Sequence, residues 1–159
     1  MAMLFAEQYH VAFGKNPVAD FADTSAVSDV VNAKNFHSTV FLVYWGVGTT
    51  GTATITVEAC DDVTPTNTTA VPFYYRVITG ALNAGDTAGT LTLATAAGFT
   101  TTAGSHQCVV VEVNHEELGD TGYKYVRVKC TEVVDDPILG GILVLQGRPR
   151  FDTTTSTLT

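Results

Sequence analysis

From Thr52 to Cys60 the chain alternates without a break: Ala53, Ile55, Val57 and Ala59 fall on one side, and Thr52, Thr54, Thr56 and Glu58 on the other. A period of two held over nine residues marks a half-buried β-strand, and a helix with its repeat of 3.6 cannot satisfy it. Other runs fit pleated sheet as well. Val40 to Trp45 is apolar on both faces and is expected to be buried on both. Val71 to Thr79 carries its proline, Pro72, near the start, where a strand tolerates one. Cys108 to Val113, Tyr123 to Cys130 (with Val126, Val128 and Cys130 on the inner face) and Ile138 to Gln146 complete the strong candidates, with a short strand near Thr90 to Ala94.

Composition points the same way. The chain of 159 residues holds 26 Thr, 21 Val and 14 Gly, residues that favour strands and turns over helices. Its hydrophobic share of 45% against 15% charged excludes disorder over the whole length. A chain of this mass buries about two thirds of its extended surface, enough for one core.

Turn signals fix the expected order. Gly48-Thr49-Thr50-Gly51 predicts a short hairpin loop between Val40–Trp45 and Thr52–Cys60. Asn114 to Gly122 predicts a second hairpin turn between Cys108–Val113 and Tyr123–Cys130. Gly140-Gly141 predicts a bulge or a close backbone approach. About seven strands, too close in sequence for helical crossovers, imply an all-β antiparallel sandwich or barrel, jelly-roll or immunoglobulin-like. Residues 1–24 fit neither period and read as an N-terminal arm, 25–147 as the β-sandwich domain, and 148–159 as a C-terminal tail.

Charge and motifs remove several function classes. A net charge of -8 and 16 acidic against 8 basic residues leave no basic face for nucleic acid. No run approaches the length of a membrane span and no export signal is recognisable, so a chain that is neither exported nor in a membrane is expected. Cys60, Cys108 and Cys130 have neither disulfide-framework nor metal-knuckle spacing and read as buried, reduced thiols. His115-Glu116-Glu117 would point to opposite faces of a strand, and the candidate acids Glu58, Glu112, Glu116, Glu117 and Glu132 have nothing to bring two of them together. Asp61-Asp62 and Asp135-Asp136 read as solvated loop acids, and Asn67-Thr68-Thr69 as a chance sequon. No phosphate-cradling motif is present. No catalytic residue, cofactor or metal is therefore expected.

What remains is an interaction protein. Phe5, Tyr9, Phe13 and Phe21 in the arm, with Arg148, Arg150 and Phe151 at the other end, are the expected partner contacts. Pro149 is expected to hold the backbone extended so that both guanidinium groups project.

The stretch Val30-Val31-Asn32-Ala33-Lys34-Asn35-Phe36-His37-Ser38-Thr39-Val40-Phe41-Leu42-Val43, then Gly46, the Thr52–Cys60 strand and Ile142-Leu143-Val144-Leu145-Gln146-Gly147 leading to Arg148-Pro149-Arg150-Phe151, resembles small virion proteins of tailed bacteriophages. Such proteins look like capsid decoration, or cement, proteins. The resemblance implies a non-enzymatic domain, often trimeric, made in the host cytoplasm and placed on the outer capsid surface, where it braces the major capsid protein by extended termini. A homotrimer also fits the surplus of two-sided apolar strand. The alternative is a carbohydrate-binding sandwich of a phage tail or fibre, with Trp45, Tyr74, Tyr75, Tyr123 or Tyr125 as platforms. A small hydrolase with an acid pair in a cleft is the third class.

Overall fold

The computed structural model describes residues 4–81 and 83–150. The strands run in the order β1 (Tyr9–Val18), β2 (Ser25–Val27), β3 (Val31–Asn32), β4 (Phe36–Trp45), β5 (Thr52–Cys60), β6 (Thr68–Val71), β7 (Phe73–Thr79), β8 (Thr87–Ala88), β9 (Thr92–Ala94), β10 (Phe99–Thr100), β11 (Gln107–Asn114), β12 (Tyr125–Val134) and β13 (Gly140–Pro149), with short helices α1 (Phe5–Gln8) and α2 (Glu116–Gly119). They form two antiparallel sheets. The larger has the order β1-β13-β4-β11-β7-β8 with β9 also on β7, and the smaller β10-β5-β12-β2 with β3 on β12 and β6 on β5. The architecture is thus an all-β sandwich and not a closed barrel.

The core is what the alternation dictates. Ala53, Ile55, Val57 and Ala59 from β5 meet Val126, Val128 and Cys130 from β12, all fully buried. Phe41, Val43 and Trp45 from β4, with Val109, Val111 and Val113 from β11, close the other side. Burying one such side chain contributes about 1.5–3 kcal/mol.

Local turn signals mislead about the sheets. β4 and β5 are not a hairpin: β4 lies between β13 and β11, while β5 pairs with β12. The Gly46–Gly51 loop carries the chain from one sheet to the other. Gly51 is there for room, not for a positive φ, since a Cβ would overlap the Asp136 carbonyl and the Ile138 side chain. β11 and β12 likewise sit in different sheets, joined through α2. The expected strand Val71–Thr79 is split at Pro72: β6 pairs with β5 and β7 with β11. Proline has no N–H to give to either ladder, and here it marks the switch between them.

Residues 1–24 are not simply an arm. Residues 9–18 form β1, paired with β13 from Tyr9↔Gly147 to Val18↔Gly140, with register shifts on both sides of Lys15. Those irregularities hide its period in the sequence. Gly140 and Gly141 are a close approach, as expected: a Cβ on Gly140 would lie 2.7 Å from Trp45 Cδ1 and one on Gly141 3.1 Å from the Pro17 nitrogen. Val40–Trp45 is buried on one face only, for Val40 and Leu42 are half-buried and Tyr44 is 55% exposed.

Candidate functional site

The fold sets β1 against β13, strands far apart in sequence. Tyr9 opens β1 directly opposite Gly147 near the end of β13. The glycine is required there, since a Cβ on it would come within 2.7 Å of Tyr9 Cε1. The Phe5 ring stacks on Tyr9 at 4.8 Å, and His10 lies over Phe36 at 6.3 Å. Leu4 and Phe5 are mostly exposed, and the exposed Arg148 and Arg150 follow within three residues of Gly147.

Two expectations about these contacts need correction. Phe21 is core: it is 1% exposed and meets Trp45 edge-on at 6.5 Å, because the bend after β1 folds it under β13, so it cannot touch a partner. The two arginines do not project from an extended backbone. Arg148 has φ +55, a left-handed conformation that side chains rarely adopt, and Arg150 folds back so that its Nε donates to the Phe36 carbonyl at 2.9 Å. Phe151 lies outside the described residues. Phe5, Tyr9 and Phe13 are at the surface or half-buried, and Phe13 is 77% exposed.

Beside Arg150 is a pocket of about 260 Å³ that also takes in Lys34, Lys124, Leu118 and Tyr123. Three of the chain's eight basic residues therefore meet at one hollow of an acidic protein, and none of the three is in an ion pair among the described residues. Below it sits His115, buried. Its Nδ1 faces the Phe36 carbonyl at 2.6 Å, which can only accept, so Nδ1 carries the proton and Nε2 accepts from the Thr39 hydroxyl at 2.8 Å. Burial lowers its pKa, partly offset by the backbone hydrogen bonds, and the ring is a neutral strut.

The remaining candidates for chemistry are dispersed. Glu58 is tied to Arg127 at 2.7 Å, Glu132 accepts from the Thr24 backbone N–H, and Glu112 stands on the outer face of the larger sheet. Burial pushes the Cys60 thiol up to about 11 and the Cys130 thiol up to about 12, and raises that of Cys108. No group of His, Cys, Asp and Glu among the described residues could hold a metal ion, and no described helix is long and apolar enough to cross a membrane.

Two loop acids have jobs that the sequence does not announce. Asp61 accepts from the backbone N–H and side chain of both Thr66 and Asn67. The Asn67 side chain is the leading cause of a carboxyl pKa lowered to about 2. Asp136 Oδ2 accepts from the Thr49 hydroxyl and from the Thr50 and Gly51 N–H groups. Both are loop clamps.

The outer face of the larger sheet is the feature that periodicity alone misreads. Directly opposed residues of antiparallel strands share a face, so the registers define rows. One runs Phe13, Leu143, Leu42, Val110, Arg76; its neighbour runs Val11, Leu145, Val40, Glu112, Tyr74, Leu93. A third joins Gly141, Tyr44, Cys108 and Ile78. Beside Gly141 an apolar groove of about 430 Å³ opens among Phe13, Pro17, Leu42, Tyr44 and Leu143. Comparison with known protein families, with curated proteins and with solved structures finds no match to this chain.

Proposed function

We propose that the protein is a non-enzymatic structural component of a tailed-phage particle that decorates and stabilises the capsid shell, binding the major capsid protein through its two chain ends. The observation that carries the docking reading is that β1 begins where β13 ends, so that Leu4, Phe5 and Tyr9 on one strand and Arg148 and Arg150 on the other lie at the same end of the larger sheet. Exposed apolar side chains and guanidinium groups at one end of a sheet suit a partner surface that is both greasy and acidic. The Lys34, Lys124 and Arg150 pocket extends the same chemistry.

Topology supports the virion assignment at the level of analogy. Taking β1, β2 with β3, β4, β5, β6, β7, β12 and β13 as the eight principal strands, the sheets run 1-8-3-6 and 2-7-4-5, with β11 inserted between β4 and β7 and the short β8, β9 and β10 added outside this set. We read this as a jelly roll, an architecture common among viral capsid domains and lectins. The carbohydrate-binding alternative loses Trp45 to the core and one face of Tyr75 to a 3.7 Å stack on Phe99.

Shells lacking this chain, mixed with it and sedimented, should carry it along. The double variant Arg148→Ala, Arg150→Ala should bind more than about tenfold more weakly, as loss of desolvated charge contacts does. Absence of any binding to the shell at moderate salt overturns the reading.

A further inference from the structure

We infer that the outer face of the larger sheet is where two copies of this chain pack on each other. This goes beyond capsid docking, rests on residues other than those assigned to the capsid contact, and is read without capsids, so either reading can fail alone.

The area is the first argument. Val11, Phe13, Tyr44, Tyr74, Leu93 and Leu143 are each 45–77% exposed, and the half-buried Val40, Leu42, Val110 and Leu145 lie between them, so these apolar side chains form one continuous face across the sheet. Single apolar residues scattered on a surface are ordinary, but a contiguous face of this extent marks an interaction site, and a standard interface covers about 800 Å² on each side.

The face also fits itself. It carries a knob, the protruding Phe13 ring, and a hole, the apolar groove beside Gly141. Its two central charges are opposite: Arg76 and Glu112 stand in neighbouring rows, and neither is in an ion pair among the described residues. A two-fold axis lying in the plane between the two faces would set each against its complement in the other copy, as an isologous contact requires. A foreign partner imposes no such balance. With a net charge of -8 on each chain, copies can approach closely only across a face whose own charge is near zero. A face that pairs with itself closes as a dimer, where the sequence led us to expect a trimer.

Light scattering on the full chain at about 50 µM, above the micromolar range of even the weak interfaces of this size, tests it. The expected result is a dimer. Phe13→Asp and Leu143→Asp, at surface positions, should each weaken it at least about thirtyfold, the effect of losing a central contact, while the circular dichroism spectrum stays that of the native chain. If Leu143→Asp unfolds, Phe13→Asp decides. A monomer, a dimer that survives the folded variant, or a different stoichiometry overturns the proposal.

Discussion

His115 and Arg150 donate to the same acceptor: the Phe36 carbonyl takes the imidazole Nδ1–H at 2.6 Å and the guanidinium Nε–H at 2.9 Å. One backbone oxygen thus ties the start of β4, the turn after β11 and the end of β13 together. The arginine's charge is one of the influences that disfavour protonation of the ring.

A pH dependence follows. His115 has a folded-state pKa below its ordinary 6.5, so the unfolded chain takes up a proton first as pH falls. Its contribution to stability is whole above 6.5 and is lost as pH drops from there towards the folded value. Urea midpoints at pH 7.5 and 5.5 should differ more for the native chain than for His115→Gln. Equal differences would mean that the ring titrates as it does in water.

The two parts of the N-terminal segment should behave oppositely. Removal of residues 1–8 leaves every strand pair in place and should shift the melting transition by a few degrees at most. Removal of residues 1–24 takes away β1 and Phe21 and should abolish cooperative folding. Phe21→Ala alone should cost about 3–5 kcal/mol by cavity formation, measured by denaturant unfolding.

Gly140→Ala probes a close approach on the inner face of the larger sheet, where β13 crosses Trp45 and Phe21. The added methyl would sit 2.7 Å from Trp45 Cδ1, 2.8 Å from the Tyr44 carbonyl oxygen and 3.0 Å from Phe21 Cγ. Overpacking of this kind costs about 1–3 kcal/mol. Gly119→Ala, with open space at its Cβ, is the control and should unfold at the denaturant concentration of the native chain.

Asp61→Ala should free the loop between β5 and β6. Hydrogen exchange at the Thr66 and Asn67 amides, which now donate to the carboxylate at 3.1 Å each, should speed up while exchange in β12 does not change. The native clamp holds above pH 3.8 and weakens as pH falls towards about 2, the sense expected of a carboxylate with a lowered pKa.

Face-by-face burial was legible where alternation is strict, as at Ala53 to Ala59 and Val126 to Cys130. Sheet membership was not. Glycine and asparagine announce that a chain reverses, but the same residues serve a reversal within a sheet and a step across the sandwich, so Gly48–Gly51 and Asn114–Gly122 read as hairpins. β1 was hidden by the irregular register around Lys15. Arg148 and Arg150 stand out in the sequence by charge and position, but that Arg150 would join Lys34 and Lys124 at one pocket depends on pairings far apart in sequence. Val40 to Trp45 was recognised as apolar on both sides, yet a one-chain pattern cannot tell burial by its own sandwich from burial by another molecule.

The pairing of β1 with β13 joins residue 9 to residue 147, and it sets a timetable. β1 leaves the ribosome well over a hundred residues before β13, so this ladder of the larger sheet cannot form until β13 has emerged. Ladders between such distant segments place folding toward the slow end for a domain of this size. They also make the unfinished chain the stage most exposed to misassembly.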